Sequence, residues 1–307
     1  MKKMKIIVFA VLSMLLAACG TKETVPLTGR THTLSVSDEQ VLSLSTQEYN
    51  KYMATAKKST NAANTAMVQR VGTRLANAVE SYLKNNGYAS QLKNFKWEFN
   101  LVQDNQANAF CMPGGKIVVY EGLLPYTQNE TCLAIVLGHE IAHAVAKHSA
   151  EQMSKQYNQK LGTSILGTVL NSAVGSGVGD VASQIASTGF QFANLKYSRD
   201  DELEADHMGL VFAAMAGYDP QQAVGFWQRM SSGSQNTSDF LSDHPSDAKR
   251  IAAIKKEMPE ALRYYNASQK ATTTATSTKK SLTASKASYS GKQTSTKNKK
   301  KGTSRKR

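Results

Sequence analysis

The sequence has little of what marks several protein classes. It has three cysteines in 307 residues, too few to define a disulfide scaffold. Its longest apolar run, Ile6–Ala18, is broken only by Ser13 and is too short for a dedicated membrane span. Residues 266–307 contain no acid and twelve Lys/Arg, so they carry most of the net charge of +14. Residues 19–265 have a net charge of −1. The basic overall composition is therefore no evidence for a nucleic-acid-binding fold.

The N-terminus has the pattern of a secretory signal. Three lysines in the first five residues precede the apolar run, and Leu-Ala-Ala-Cys-Gly, which resembles a bacterial lipobox, follows it. A basic start, a short apolar core and a small-residue site are typical of a signal peptide. This predicts a signal peptide at 1–18 and lipidation of Cys19; an uncleaved anchor with a chance cysteine is the alternative. We expect an exported, lipid-anchored envelope protein, and Gly20 favours the outer membrane, facing the periplasm.

The C-terminal segment, residues 266–307, consists almost entirely of Ser, Thr, Ala, Gly and Lys. Such a segment cannot bury enough apolar surface to offset the entropy of ordering it. We therefore predict a disordered basic tail. Its charge suits contact with anionic lipid, cell-wall polymer or nucleic acid, or serves solubility alone, and the sequence favours none of these.

Between these ends, the sequence predicts an α+β domain at residues 60–265, preceded by a polar tether at 19–59. Apolar residues at helical spacing from Ala63 to Asn86 predict a helix, and alternation from Phe95 to Leu101 predicts a strand. Two more strands flank Pro113-Gly114-Gly115 as a hairpin. Most of the remaining domain has helical patterns, so we expect a small sheet beside a larger helical mass.

Two features of this domain leave alternatives open. Cys111 and Cys132 either form a single bridge or serve as buried small apolar residues. Residues 161–192 are rich in Gly, Ser and Ala, but without a preceding strand or a following Lys-Ser/Thr they do not match a phosphate-binding loop. A mobile loop between helices, with a lid as one role, fits them best.

The segment His139-Glu140-Ile141-Ala142-His143 carries the chemistry. Positions i and i+4 of a helix project from one face, so His139 and His143 can bind one metal ion. Glu140 lies beside them, where it can act as a general base. His148 is predicted to lie about 140° further round the same helix and to miss the metal. Burying such polar groups in an apolar helix is costly unless something pairs them, which favours a metal over a solvated face.

An acidic segment, Ser198–Asp206, can complete the site. A catalytic zinc takes three protein ligands and keeps one open position. Glu202 and Asp206 are four residues apart and share a helical face, so one can bind the metal while the other orients a ligand histidine. A solvated acidic helix surface is the alternative.

Together, His139–His143, Glu202–Asp206, and Asn108-Ala109-Phe110 followed by Pro113-Gly114-Gly115 resemble one zinc metallopeptidase family. It is the family of HtpX, the CAAX prenyl endopeptidases and the periplasmic lipoproteins LoiP and BepA. The resemblance is nearest to the short lipoprotein members, without a C-terminal repeat domain. It implies a mostly helical, zincin-like fold and one Zn²⁺ per chain, with Glu202 as the third ligand and Asp206 as a supporting residue.

The resemblance implies roles for other residues. Asn108, Ala109 and Phe110 are expected on an edge strand that receives the substrate backbone, and such β-augmentation suits extended or unfolded chains. His244 is expected near the zinc, where it occupies the open position or stabilises the oxyanion; a surface helix cap is the alternative. Arg250 either supports the site or holds its helix.

These patterns predict a zinc endopeptidase that degrades misfolded or unassembled envelope proteins. Two alternatives differ from it in class. A latent or chaperone-like module would bind zinc and unfolded chains without significant turnover, with His244 blocking the metal. A surface adhesin or polymer-binding protein would act through its basic tail.

Overall fold

A computed structural model describes residues 20–170, 191–192, 195–232, 244 and 248–295. The predicted signal peptide and Cys19 lie outside these residues. The strands are β1 (Thr21–Thr24), β2 (Thr31–Leu34), β3 (Glu98–Val102), β4 (Ala109–Met112) and β5 (Lys116–Tyr120). The helices are α1 (Asp38–Thr55), α2 (Ala62–Asn85), α3 (Leu124–Thr127), α4 (Glu130–Val145), α5 (His148–Leu170), α6 (Arg199–Met215), α7 (Gln222–Ser232) and α8 (Ala248–Ser295). Short 3-10 turns cover Ala89–Asn94 and Glu121–Leu123.

The central sheet has the order β3-β5-β4, with β3 parallel and β4 antiparallel to β5. β4 and β5 form the predicted hairpin, whose turn contains Gly114 and Gly115 at φ of 91° and 81°, values that glycine adopts without a steric cost. Side chains alternate across a strand, and here both faces are buried. One face packs with α2, α4 and α6 in the main core. The second face presents Val102, Phe110, Met112, Val118 and Tyr120.

The N-terminal segment covers this second face, so the tether predicted at 19–59 is wrong for its described part. β1 and β2 form an antiparallel hairpin, and a capping box of Ser37 and Gln40 begins α1. Val41 and Tyr49 of α1 belong to the core cluster of the second face. The apolar residues of this segment are too sparse to predict a packed element, but a sheet buried on both faces requires such a cover.

The helices that carry the predicted metal ligands, α4 and α6, touch backbone to backbone. A Cβ added to Gly138 would lie 2.6 Å from the carbonyl oxygen of Gly209. A Cβ added to Gly209 would lie 2.6 Å from the backbone nitrogen of His139. Because any side chain at these positions would collide with backbone, the two glycines allow the close approach that faces the ligands toward each other.

The C-terminal segment is more helical than predicted. α8 continues to Ser295, so the disordered tail predicted from residue 266 is helical up to that point, and residues 296–307 lie outside the described ones. Extending an existing helix costs far less than starting one. A prediction from core-forming composition does not take this effect into account.

A similar correction applies to the predicted loop at 161–192. α5 runs to Leu170, so the loop's first ten residues are helical, and 171–190 lie outside the described residues. The lid stays a prediction.

The predicted α+β class with a small sheet and a mostly helical body is confirmed. Cys111 and Cys132 are both buried free thiols, so the bridge left open by the sequence is not formed. Within the described ranges, no helix combines the length and apolar character that crossing a membrane requires.

Candidate metal centre

Helix α4 presents the predicted histidine pair at the centre of the fold. Its start is fixed by Asn129, whose side chain accepts a hydrogen bond from the N–H of Cys132. His139, Glu140 and His143 are each at most 2% exposed. The Nε2 atoms of the two histidines lie 3.1 Å apart, as the spacing of four residues predicts for side chains on one helical face.

Helix α6 brings the acidic segment to the same point. A capping box between Ser198 and Asp201 begins the helix. Glu202 and Asp206 then face α4 and are 2% and 5% exposed. The alternative of a solvated acidic surface is therefore wrong for these two carboxylates, although Asp200 in the same run is exposed.

The spacing of the donor atoms fits a tetrahedral metal ion. Glu202 Oε2 lies 3.5 Å from His139 Nε2, and Glu202 Oε1 lies 3.5 Å from His143 Nε2. Bonds of about 2.0–2.2 Å in a tetrahedral site place donor atoms about 3.3–3.6 Å apart. Two imidazoles and one carboxylate are a donor set that zinc sites use. The residues present therefore fit a zinc-like ion.

His244 lies beside these three donors. Its Nδ1 is 3.2 Å from His139 Nε2 and 3.0 Å from Glu202 Oε1. The four residues form one group whose donor atoms all lie within 4.8 Å of one another. His244 is 4% exposed, which argues against the alternative of a surface cap. The imidazole is placed where a fourth ligand would be.

Asp206 and Arg250 support His139. Asp206 Oδ1 lies 3.1 Å from His139 Nδ1, while Arg250 donates to both oxygens of Asp206 at 2.7 Å. Arg250 also lies 2.8 Å from Glu202 Oε2 and donates to the backbone carbonyl of His244 at 3.1 Å. Burial lowers the pKa of His139, but hydrogen bonds to Asp206 and Glu202 outweigh it and raise the pKa to about 9. Arg250 thus contacts three residues of the site.

Glu140 lies on the sheet side of the centre. Burial raises the pKa of its carboxyl, and the backbone N–H of Cys111 is a partner that lowers it. The Oε1 atom is buried and accepts no hydrogen bond within the described part of the chain. It lies 3.6 Å from His244 Nε2. A buried carboxylate oxygen without a donor is ready to accept a proton from a nearby water.

The predicted substrate strand is at the edge of the sheet, next to this carboxylate. The carbonyl of Asn108 accepts from Tyr120 N–H on β5, so the alternation of an antiparallel pair directs the backbone groups of Ala109 and Cys111 to the free side. Asn108 Oδ1 accepts from the N–H of Ala109 at 2.8 Å. The Phe110 ring instead packs against Tyr52 on the covered face, with 5.3 Å between centroids. By the same alternation, the backbone groups of Phe110 face Val118 of β5, so neither its ring nor its backbone groups are directed to the free edge.

Sequence reasoning missed part of the surroundings of His143. His148 is not on the same helix, because α4 ends at Val145 and α5 begins at His148, so the predicted rotation of about 140° along one helix is wrong. His148 is absent from the donor group, as predicted, but it touches His143 directly. The ring of Tyr197 also stacks on His143, with 4.0 Å between centroids. No local signal marks either contact, since each joins separate helices or loops.

Comparisons with known proteins match this chain to metallopeptidases. The family model described as Peptidase family M48 matches residues 62–258. The chain is 37% identical over 176 residues to the mitochondrial metalloendopeptidase OMA1 of Schizosaccharomyces pombe, covering 56% of this chain and 50% of the relative. It is 30% identical over 248 residues to the human mitochondrial metalloendopeptidase OMA1, covering 78% and 47%.

A bacterial relative carries the resemblance that the motifs indicated. The chain is 28% identical over 176 residues to the beta-barrel assembly-enhancing protease of Yersinia pestis, covering 54% of this chain and 36% of that protein. The chain thus spans about half the length, or less, of these curated relatives. With the family model matching well over half of the sequence, the chain belongs to peptidase family M48.

Proposed function

We propose that this protein is a zinc-dependent endopeptidase whose metal is held by His139, His143 and Glu202. The observation that carries the proposal is the donor geometry: the Nε2 atoms of His139 and His143 lie 3.1 Å apart, and each lies 3.5 Å from a different oxygen of Glu202. Two imidazoles and one carboxylate are a donor set that catalytic zinc sites use. When bound, the ion supplies a Lewis acid that activates water and polarises a carbonyl.

Glu140 acts as the general base in this proposal. Its Oε1 atom has no hydrogen-bond donor among the described residues, and burial raises the pKa of its carboxyl, which makes it a stronger base than an exposed glutamate. It takes the proton of the attacking water and passes it to the leaving amine of the cleaved peptide bond.

Substrate binds as an added strand along Asn108–Phe110. Support comes from the edge position of β4 and from the outward direction of the backbone groups of Ala109 and Cys111. Main-chain pairing of this kind accepts any extended chain with little demand on its side chains. The two N–H groups on this edge already bond to Asn108 and Glu140, so a substrate strand has to replace those bonds.

His244 decides between two states of the enzyme. With Nδ1 3.0 Å from Glu202 and 3.2 Å from His139, the imidazole occupies the place of a fourth ligand. This geometry favours a second candidate function, a latent or chaperone-like module that binds unfolded chains without significant turnover. If His244 swings away, the same side chain is close enough to stabilise the developing oxyanion.

The physiological role we propose is degradation of misfolded or unassembled cell-envelope proteins. It is supported by the similarity to the beta-barrel assembly-enhancing protease and by the lipobox-like segment ending at Cys19. Lipidation of Cys19 would anchor the enzyme in the envelope, with the outer membrane facing the periplasm as the proposed location. The basic C-terminal segment would contact anionic surfaces.

Digestion of casein, an unfolded protein, tests the proposal. The purified protein should cleave casein and carry about one zinc per chain. Glu140→Gln should keep the zinc but reduce kcat by about 10²–10⁴-fold, because it removes the general base. A wild-type protein that binds zinc without cleaving, and that begins to cleave as His244→Ala, would establish the latent state instead. Absence of bound zinc from the wild type would refute the metal assignment.

A further inference from the structure

His148 is positioned by a sharp break in the chain behind the metal centre. α4 ends at Val145, and Lys147 has a left-handed backbone with φ of 57°. Lys147 is held there by ion pairs to Glu23 and Asp38 at 2.7 Å each. The break starts α5 at His148 and turns its imidazole back toward α4, where it is 1% exposed.

The imidazole of His148 meets the face of His143 that points away from the other donors. The two Nδ1 atoms lie 2.8 Å apart, while His143 Nε2 faces His139 and Glu202. An imidazole that binds a metal through Nε2 carries its proton on Nδ1. His143 is then the donor and His148 Nδ1 the acceptor, which leaves the proton of His148 on its Nε2.

That second proton also has a fitting partner. His148 Nε2 lies 3.0 Å from Glu204 Oε2, so the imidazole donates to a carboxylate. Glu204 is 9% exposed and sits two residues from Glu202 on α6. The chain of atoms His143–His148–Glu204 therefore has one consistent arrangement of protons, in which each group has the partner it needs.

The loop between β1 and β2 fixes the far end of this chain. Thr28 Oγ1 donates to Glu204 Oε1 at 2.5 Å, and Arg30 Nε donates to Oε2 at 2.7 Å. Arg30 also bonds to Glu151 on α5 at 2.9 Å. The carboxylate of Glu204 is thus held from both sides, by His148 and by this loop.

We propose that His148 and Glu204 are positioning residues for the metal ligand His143, and that the loop holding Thr28 and Arg30 completes their support. The N-terminal hairpin is then part of the metal centre as well as a cover for the sheet. The inference depends on the proposed role of His143 as a ligand. In this inference a carboxylate, Glu204, supports His143 through the imidazole of His148, whereas the carboxylate of Asp206 contacts His139 directly.

The test measures zinc affinity by competition with a chromophoric chelator, using the full chain. His148→Leu should weaken zinc binding about 10–100-fold, the range found when residues that orient metal ligands are removed. His148→Asn should recover most of the affinity, because its Oδ1 replaces Nδ1 as acceptor. Glu204→Gln keeps the shape of the carboxylate and should cost about tenfold. The absorption spectrum of bound Co²⁺ should change in His148→Leu and return in His148→Asn.

His207→Leu is the matched control. His207 is also a histidine of α6 that bonds to a glutamate, Glu260, at 3.0 Å. It belongs to a separate, partly exposed group with Glu257 and Glu260 that could itself hold a cation, and not to the buried four-residue donor group. The affinity of the tightest zinc site in His207→Leu should therefore equal that of the wild type. Urea unfolding of the chelator-treated proteins separates loss of metal affinity from loss of the fold.

Three results would overturn the inference. One is a zinc affinity within about twofold of wild type for both His148→Leu and Glu204→Gln. Another is an equal loss in His207→Leu, which would show that the effect is not local. The third is a wild-type protein without zinc affinity, which refutes the proposed function itself; a zinc-binding wild type with unaffected variants refutes this inference alone.

Discussion

The two histidines of α4 are supported in different ways, although both supports start from carboxylates of α6. His139 contacts Asp206 directly at 3.1 Å, and Arg250 holds that carboxylate from the deeply buried side. His143 reaches Glu204 only through His148, and Arg30 holds that carboxylate from the solvent side. The arginine side chains are 5% and 34% exposed.

The difference concerns charge as much as position. A carboxylate in contact with His139 raises the pKa of that imidazole. An interposed imidazole keeps the charge of Glu204 one ring away from His143, whose pKa is lowered by burial and by the positive charge of His139. The imidazole of His139 therefore favours its charged form, and the imidazole of His143 favours its neutral form. Because His139 contacts the carboxylate of Asp206 but His143 contacts the imidazole of His148, only one of the two contacts adds a negative charge close to Glu202.

Arg250→Leu should produce the largest effect on this comparison. The change leaves Asp206 and Glu202 buried without their cation, and breaking a buried pair from one side typically costs about 3–5 kcal/mol. Urea unfolding of the chelator-treated protein would measure the loss. A cost below about 1 kcal/mol would mean that the buried support behaves like a surface pair.

Arg30→Gln is the matched change on the other support and should have a smaller effect. Arg30 is one-third exposed, so water compensates for much of the lost attraction, and we expect a cost of up to about 1 kcal/mol in the same urea experiment. Added salt should reduce the difference between Arg30→Gln and wild type. A loss as large as that of Arg250→Leu would remove the distinction between the two supports.

The smallest expected effect is a pH dependence of the Glu204 contribution. Its pKa is lowered from 4.5 to about 2 in the folded protein, so the folded state favours the ionised form. The resulting stability is fully present above pH 4.5 and is lost as the pH falls toward 2. The gap in unfolding free energy between wild type and Glu204→Gln should therefore narrow from pH 6 to about pH 3.5. A gap that stays constant or widens would contradict this origin.

The sequence predicted the donor set because its information is local. Histidines four apart on an apolar helix, and an acidic pair four apart on another, define two polar faces, and a shared cation is the interpretation that pairs them. The turn glycines predicted the hairpin of β4 and β5, and the helical spacing of apolar residues predicted the helix that begins at Ala62. The class of fold followed from the same patterns.

What the sequence did not predict depends on contacts between distant segments. No glycine or proline marks the break at Lys147, which is stabilised by carboxylates more than a hundred residues earlier in the chain. The first strands and α1 have weak apolar patterns. They pack because the second face of the central sheet would be exposed to water without them. Helix propagation beyond residue 266 follows from the helix that precedes it. Apart from this helix extension, each miss is a tertiary effect on an ambiguous local sequence.

The contact between Gly138 and Gly209 has a consequence for the choice of ion. In the proposed metal site, two donors would come from α4 and the third from α6, so the separation of these helices would set the distances between the donors. Zinc takes bonds of about 2.0–2.2 Å, whereas calcium takes about 2.3–2.6 Å. A preference for the smaller ion would then depend on two residues without a side chain, because a methyl group added at Gly138 or Gly209 would push the helices apart.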